Sequence, residues 1–253
     1  MAFAMSDVVD GLQRDFLTGN YSDLRIIDRN DTVYNVHKVV LCHQSPWFEE
    51  AVRETGDGNT FHLRKDEPAA VKAMVEFFYT GTYSSNVDTI SSAVARLYLD
   101  ISIYAIGAKY MVKNKALDLA QVAVRHIQRD LWLPDQQNVL ASLPQLVQSA
   151  YAEAAGTEES LLEPFLAYAV DNSPRLLRSP GFRGALDALP AFRQSFCERI
   201  SRRLDFYREV GELLEERGTY AWACKSCNKA FVGMARVNAA RTKCDRCGFD
   251  ESG

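Results

Sequence analysis

The first regular pattern in the chain is Val8, Leu12 and Phe16 recurring at intervals of four in MSDVVDGLQRDFLT, residues 5–18. That spacing predicts a short amphipathic helix, stopped by Gly19 and Asn20. The period then switches from helical to alternating. DLRIIDRNDTVYNVH places two β-branched runs around a DRND turn, where Asn30 and Asp31 tolerate positive φ, and a hairpin of 23–28 and 32–36 is predicted. In QSPWFEEAV, Ser45 is a capping residue, Pro46 suits the first helical position, and Glu49 and Glu50 lie near the positive end of the dipole, so a helix starts at 46. It ends in RETGDGN, after which TFHL alternates as a short strand. Asp66 is expected to cap EPAAVKAMVEFFYTG, whose Val71, Met74, Val75 and Phe78 fall at i, i+3, i+4 and i+7, with Gly81 as its stop.

Beyond a polar turn at 82–88, one face of 89–111 carries Leu97, Ile101, Tyr104, Ala105 and Ala108, and 114–131 carries Leu117, Ala120, Val124 and Ile127. Two packed helices therefore follow the strands. From 134 to 218, prolines at 134, 144, 164, 174, 180 and 190 punctuate apolar helical pieces, predicting an all-helical region of short helices. Its last segment, SFCERISRRLDFYREVGELLEER, is long and charged outside. At Gly218 the composition turns aromatic and cysteine-rich, and Tyr220, Trp222 and Cys224 alternate as in a strand, with AFVGM and ARTK as further strand candidates. No fixed-period repeat and no low-complexity tract is present.

Ser22-Asp23-Leu24, His37-Lys38, Leu41, Ser45-Pro46-x-Phe48, Phe78-Tyr79-Thr80-Gly81-x-Tyr83 and Ala108-Lys109-Tyr110 occur in this order. The succession closely resembles the BTB/POZ family, particularly its fungal members, over about 6–128. The resemblance implies an α/β (α+β) BTB/POZ domain, followed here by a helical region at 130–218 and a cysteine-rich segment at 219–253. It also implies that NVHKVVLCHQSPWF is architectural and that the domain works by binding other proteins. A homodimer through the helix bearing Val8, Leu12 and Phe16 follows from it, the alternative being that the stripe packs on its own domain. The family's charged pair in the dimer groove carries over to Asp23 and Lys38, where Asp23 as a local backbone cap is the competing reading. In cullin-binding relatives an apolar-x-Glu triplet follows the helix that Ser-Pro opens. The only match here is Val52-Arg53-Glu54, and Val52 finishing that helix's buried face is the plainer reading.

Composition bounds the chemistry. A chain of 253 residues, 47% hydrophobic, buries enough surface to fold without disulfides, and a formal charge of −4 leaves no global attraction for nucleic acid or an anionic membrane. The N-terminus lacks a basic signal-peptide region and no apolar run approaches 18 residues, so an intracellular protein without a membrane span is expected, in cytoplasm or nucleus. Cys42 and His43 are neighbours on a short helix, where side chains diverge by about 100°, which argues against a nucleophile–base couple. His62 and His126 stand singly. No carboxylate dyad or phosphate loop stands out, and an enzyme is not expected.

Cys224-x2-Cys227 and Cys244-x2-Cys247, sixteen residues apart, have the spacing of a closed four-thiolate site for structural zinc. Asn228 and Gly248 follow the pairs and accept the left-handed backbone that turns N–H groups toward sulfur. Metal would supply folding energy that so small a segment lacks; intra-pair redox chemistry is the lesser alternative. Between 224 and 251, six basic residues against three acidic give 6 − 3 = +3, which fits a solvated face better than a nucleic-acid site. The expected function is a non-enzymatic adaptor, in one version a substrate receptor of a cullin-based ubiquitin ligase. The alternative is a BTB-type transcriptional regulator whose ribbon contacts nucleic acid.

Overall fold

A computed structural model describes residues 5–56, 58–84, 92–113, 118–133, 136–153, 159–215, 219–223 and 230–234; of 5–10, 12, 136, 159 and those beyond 204 only the backbone is described. The chain divides into two compact units, one holding residues up to Val139 with Ser149–Leu161, the other Leu140–Gln148 with residues from Leu162 onward.

The first unit runs α1 (Met5–Thr18), β1 (Leu24–Asp28), β2 (Val33–Val36), α2 (Lys38–Gln44), α3 (Pro46–Thr55), β3 (Thr60–Leu63), α4 (Pro68–Thr80), α5 (Ala93–Lys109) and α6 (Leu119–Leu131). The predicted hairpin forms as β1 and β2, antiparallel with Ile26 opposite Tyr34. Its turn is built by Asp28, whose Oδ1 accepts the N–H groups of Asn30 at 2.8 Å and Thr32 at 2.9 Å, with Asp31 held at φ 59°. β3 pairs parallel with β1, giving the order β2-β1-β3. Local pattern could not announce that pairing, because a parallel neighbour depends on the crossover that α2 and α3 supply.

The core gathers behind the sheet. Leu24, Ile26, Leu41, Phe48, Val71, Met74, Val75, Phe77, Leu97 and Ile101 are all essentially inaccessible. Phe48 is ringed by Trp47, Phe61, Phe78 and Tyr110, with centroids 5.0 to 5.8 Å away. Ser45 fixes this arrangement: its Oγ accepts the Phe48 N–H at 3.1 Å and donates to the Tyr110 carbonyl at 2.5 Å. The start of α3 is thereby tied to the end of α5. Gly81 terminates α4 in the left-handed region, φ 72°, donating its N–H to Phe77. Asp66 does not cap α4. Residue 67 occupies the cap position without a side-chain bond, and the Asp66 carboxylate instead takes Lys109 Nζ and the Tyr110 hydroxyl, both at 2.7 Å. Two strong donors from α5 outcompete the N-terminal amides for one carboxylate. Where α5 meets α6, a Cβ on Gly107 would stand 3.0 Å from the Ala120 nitrogen, so glycine sets the approach of the two helices.

α7 (Gln136–Glu153) and α8 (Glu159–Asp171) contribute residues to both units. The second unit continues with α9 (Ser173–Leu176), α10 (Pro180–Ala188), α11 (Pro190–Glu215), β4 (Thr219–Ala223) and β5 (Ala230–Met234). Its core is aromatic, with Phe165, Tyr168, Phe182, Phe192 and Phe196 buried. Pro144 and Pro164 do not break helices as expected; they lie inside α7 and α8. Both are buried, and the packing of these helices compensates the backbone bond each proline removes. Pro180 and Pro190 open α10 and α11, where the missing N–H is not needed. α11 is pinned to α8 by Arg199 on Glu163 and Arg203 on Asp171. Among the described residues no helix is long and apolar enough to cross a membrane.

Candidate functional site

α1 is docked on α4 by Phe16 and Tyr79, whose rings stack with centroids 4.4 Å apart and planes 14° from parallel. Tyr79 is fixed from its other side by His37. Its hydroxyl oxygen accepts the His37 backbone N–H at 3.0 Å and lies 2.8 Å from ring Nδ1, while Nε2 faces the Asn20 carbonyl at 2.9 Å. A carbonyl only accepts, so these partners assign the ring proton to Nε2 and make the Tyr79 hydroxyl the donor to Nδ1. Burial, opposed by the His37 N–H and reinforced by the charge of Asp23, pushes the Tyr79 phenol up to about 12, which keeps it a donor at neutral pH. This corner is thus a chain of contacts from α1 through Tyr79 and His37 to the turn after α1.

Of the stripe predicted to face a partner subunit, Phe16 is half-buried against its own domain. The side chains of Val8 and Leu12 lie outside the described residues. What α1 and its turn leave in solvent are Leu17, 82% exposed, and Tyr21, 86% exposed. Tyr21 sits at φ 59°, a conformation that an L residue with a bulky side chain rarely adopts. A groove of about 530 Å³ opens between α1 and α4, lined by Phe16, Leu17, Tyr34, Ala73, Tyr79 and Leu99 among others. An exposed leucine therefore borders an apolar groove, and the turn after α1 adds a strained exposed tyrosine.

Asp23 and Lys38 are brought together, with the contact running through backbone. Asp23 Oδ1 accepts the Lys38 N–H at 2.7 Å at the first turn of α2, and Lys38 Nζ donates to Asn59 Oδ1 at 2.7 Å. Asp23 thereby stabilises the N-terminus of α2 both as acceptor and as a negative charge. Val52 is half-buried and Glu54 exposed at the end of α3, where Arg53 pairs with Glu49 at 3.0 Å. Cys42 Sγ lies 3.9 Å from the Phe48 carbonyl, and burial, with the charges of Glu49 and Asp23, pushes its thiol up. His43 Nδ1 is bonded to the Val39 carbonyl at 2.8 Å. Each side chain of this pair is occupied with backbone, which gives no activated nucleophile.

Sequence reasoning missed a buried polar cluster between α5 and α6. His126, read as solitary, has companions: its Nδ1 is 3.8 Å from Asp100 Oδ1 and its ring lies 4.6 Å from that of Tyr83. Tyr83 donates to Asp100 Oδ1 at 2.8 Å, and Arg96 and Arg129 both bond Asp130, at 2.8 and 2.6 Å. The available signal was the recurrence of Arg96 and Asp100, and of His126 and Asp130, four apart on otherwise apolar helix faces.

Cys224, Cys227, Cys244 and Cys247 lie outside the described residues. β4 and β5 pair antiparallel with Ala223 opposite Ala230, so the segment joining them is the one that carries Cys224 and Cys227. A two-stranded hairpin joined through a CxxC pair is compatible with a zinc knuckle, and thiolates are the donors such a site uses.

The first unit is thus a module whose distinctive surface is apolar and whose buried polar groups hold structure together. Residues 12–113 match the model of the BTB/POZ domain family, and this part of the chain is a BTB/POZ domain, a protein–protein interaction module. Among solved structures, the BTB domain of zebrafish PATZ1 is similar, at 13% identity, with a TM-score of 0.39, covering 51% of this chain and 98% of that one. No curated protein matches the chain.

Proposed function

We propose that this chain is a non-enzymatic adaptor whose BTB/POZ domain self-associates through the α1 face, while its helical region and cysteine-rich segment engage other proteins. The observation that carries the reading is the exposure of Leu17 at the rim of the α1–α4 groove, with Tyr21 exposed in the turn that follows α1. A bulky residue kept at positive φ is strained by about 1–2 kcal/mol, and strain of that kind clusters at functional surfaces. Covering a leucine contributes about 1.5–3 kcal/mol. The test is sedimentation of Leu17→Asp and Tyr21→Gly variants. Leu17→Asp should weaken self-association by at least about 10-fold. Tyr21→Gly should weaken it too while leaving the monomer no less stable, because glycine relieves the positive φ. Variants that associate as tightly as the parent protein would refute the assignment of this face.

The cullin version of the adaptor role rests on Val52 and Glu54 at the end of α3. The competing reading, a transcriptional regulator, has only the modest +3 excess of 224–251 behind it, and a salt-dependent shift with DNA or RNA would support it instead. Four thiolates at 224, 227, 244 and 247 fit structural zinc, which would hold the C-terminal segment folded and leave no open coordination position for catalysis.

A further inference from the structure

A cleft of about 640 Å³ opens where α5 packs beside α6, and it shares no lining residue with the α1–α4 groove. Its two walls differ in chemistry. On α5 and the turn that ends it, Tyr104, Gly107, Ala108 and Met111 fall at i, i+3, i+4 and i+7, an uncharged stripe facing the cleft. On α6, Gln121, Val124, Arg125 and Gln128 repeat that spacing as a polar stripe, and Lys113 joins them from the segment ahead of the helix. Charge in the cleft is one-sided. Arg125 and Lys113 are exposed, and neither pairs with a carboxylate among the described residues. Asp118, the one carboxylate among the described lining residues, is turned to backbone, its Oδ1 accepting the Ala120 N–H at 2.9 Å. Met111 stands 43% exposed at φ 49°, held there by its own N–H on the Ala108 carbonyl and by the Val112 N–H on that of Gly107. A methionine fixed at positive φ with its side chain in solvent is a residue kept against its steric preference.

We propose that this cleft docks an acidic, apolar-bearing segment of another protein: a side chain such as leucine lies on the Ala108–Met111 wall while a neighbouring aspartate or glutamate is held by Arg125 and Lys113. The site does not depend on self-association through α1. Charge complementarity selects the carboxylate, because two cations without counter-charges line a concavity from which a bound segment displaces water. The uncharged α5 wall selects the apolar neighbour, whose burial supplies the non-directional part of the attraction. A volume of about 640 Å³ accommodates a few side chains and not a duplex, and two cations are too few to track a run of phosphates.

The test probes an array of short randomised peptides with the labelled full chain, then titrates the enriched sequence by fluorescence polarisation. Peptides that join aspartate or glutamate to leucine, isoleucine, methionine or phenylalanine should be enriched; enrichment without the acidic preference, or none, overturns the proposal. Lys113→Gln/Arg125→Gln should weaken binding of the enriched peptide by at least about 10-fold, as should replacing its acidic residues by their amides. Leu17→Asp, which alters the α1 face, should bind it as tightly as the parent; binding lost there and kept in Lys113→Gln/Arg125→Gln would place the peptide at α1 and overturn the site. Single-stranded DNA at equal concentration should not displace the peptide, and displacement would assign the cleft to nucleic acid instead. Methyl NMR of the unsubstituted chain gives a reading independent of whether the variants fold: the Met111 methyl resonance should shift as the peptide saturates, and a resonance that stays in place also overturns the proposal.

Discussion

Replacing Ser45 by alanine removes one oxygen and breaks two bonds at the junction of α3 and α5. The oxygen caps α3 by accepting the Phe48 N–H, a contribution worth about 0.5–2 kcal/mol. Its hydroxyl also satisfies the Tyr110 carbonyl, and a buried acceptor left without a donor costs about 1–3 kcal/mol. Ser45 is 0% exposed, so water does not replace the lost hydroxyl without opening the core. Together the two effects predict a loss of about 1.5–5 kcal/mol, read as a lowered midpoint in urea unfolding with an unchanged slope. Ser92→Ala is the matched control. Ser92 is also an N-cap serine, ahead of α5, but it is exposed and its side chain makes no cap bond, so its loss should lie within about 0.5 kcal/mol of zero. If the two substitutions proved equally mild, the clasp between α3 and α5 would not be what holds this corner.

Two further outcomes are expected. Purified protein should carry one zinc per chain, and the metal should disappear in Cys224→Ser/Cys247→Ser; metal retained by that variant would exclude the four-cysteine site, whereas chelation should unfold the C-terminal segment and spare the BTB/POZ domain. For the cullin version of the adaptor, Val52→Ala/Glu54→Ala should abolish cullin co-purification with little change in melting temperature, since Glu54 is exposed and Val52 only half-buried. Wild-type protein that retains no cullin would end that version and leave the broader scaffold role.

The parts of the fold legible in sequence are those governed by a few adjacent residues. Ser45-Pro46 opens α3, Gly81 closes α4, and Asp31 turns the hairpin, because capping and positive φ are decided within one turn of backbone. The rest depended on residues far apart in the chain. Asp66 had the credentials of a cap until Lys109 and Tyr110, forty-three and forty-four positions later, claimed its oxygens. The parallel partner of β1, the tolerance of Pro144 and Pro164 within helices, and the company His126 keeps are likewise set by packing. At the site, the apolar stripe of α1 was visible as a period. Which of its members would be consumed internally was not, since the stacking of Phe16 depends on Tyr79 and hence on His37. Leu17 and Tyr21, outside the period of four, went unnoticed for the same reason: exposure is a tertiary property.

The central claim, that the BTB/POZ domain carries a self-association surface at α1, is tested most directly by sedimentation equilibrium of the full chain over a micromolar concentration series. The account predicts a mass approaching twice the chain mass of 28.4 kDa as concentration rises. A single species of 28.4 kDa throughout the series would contradict it.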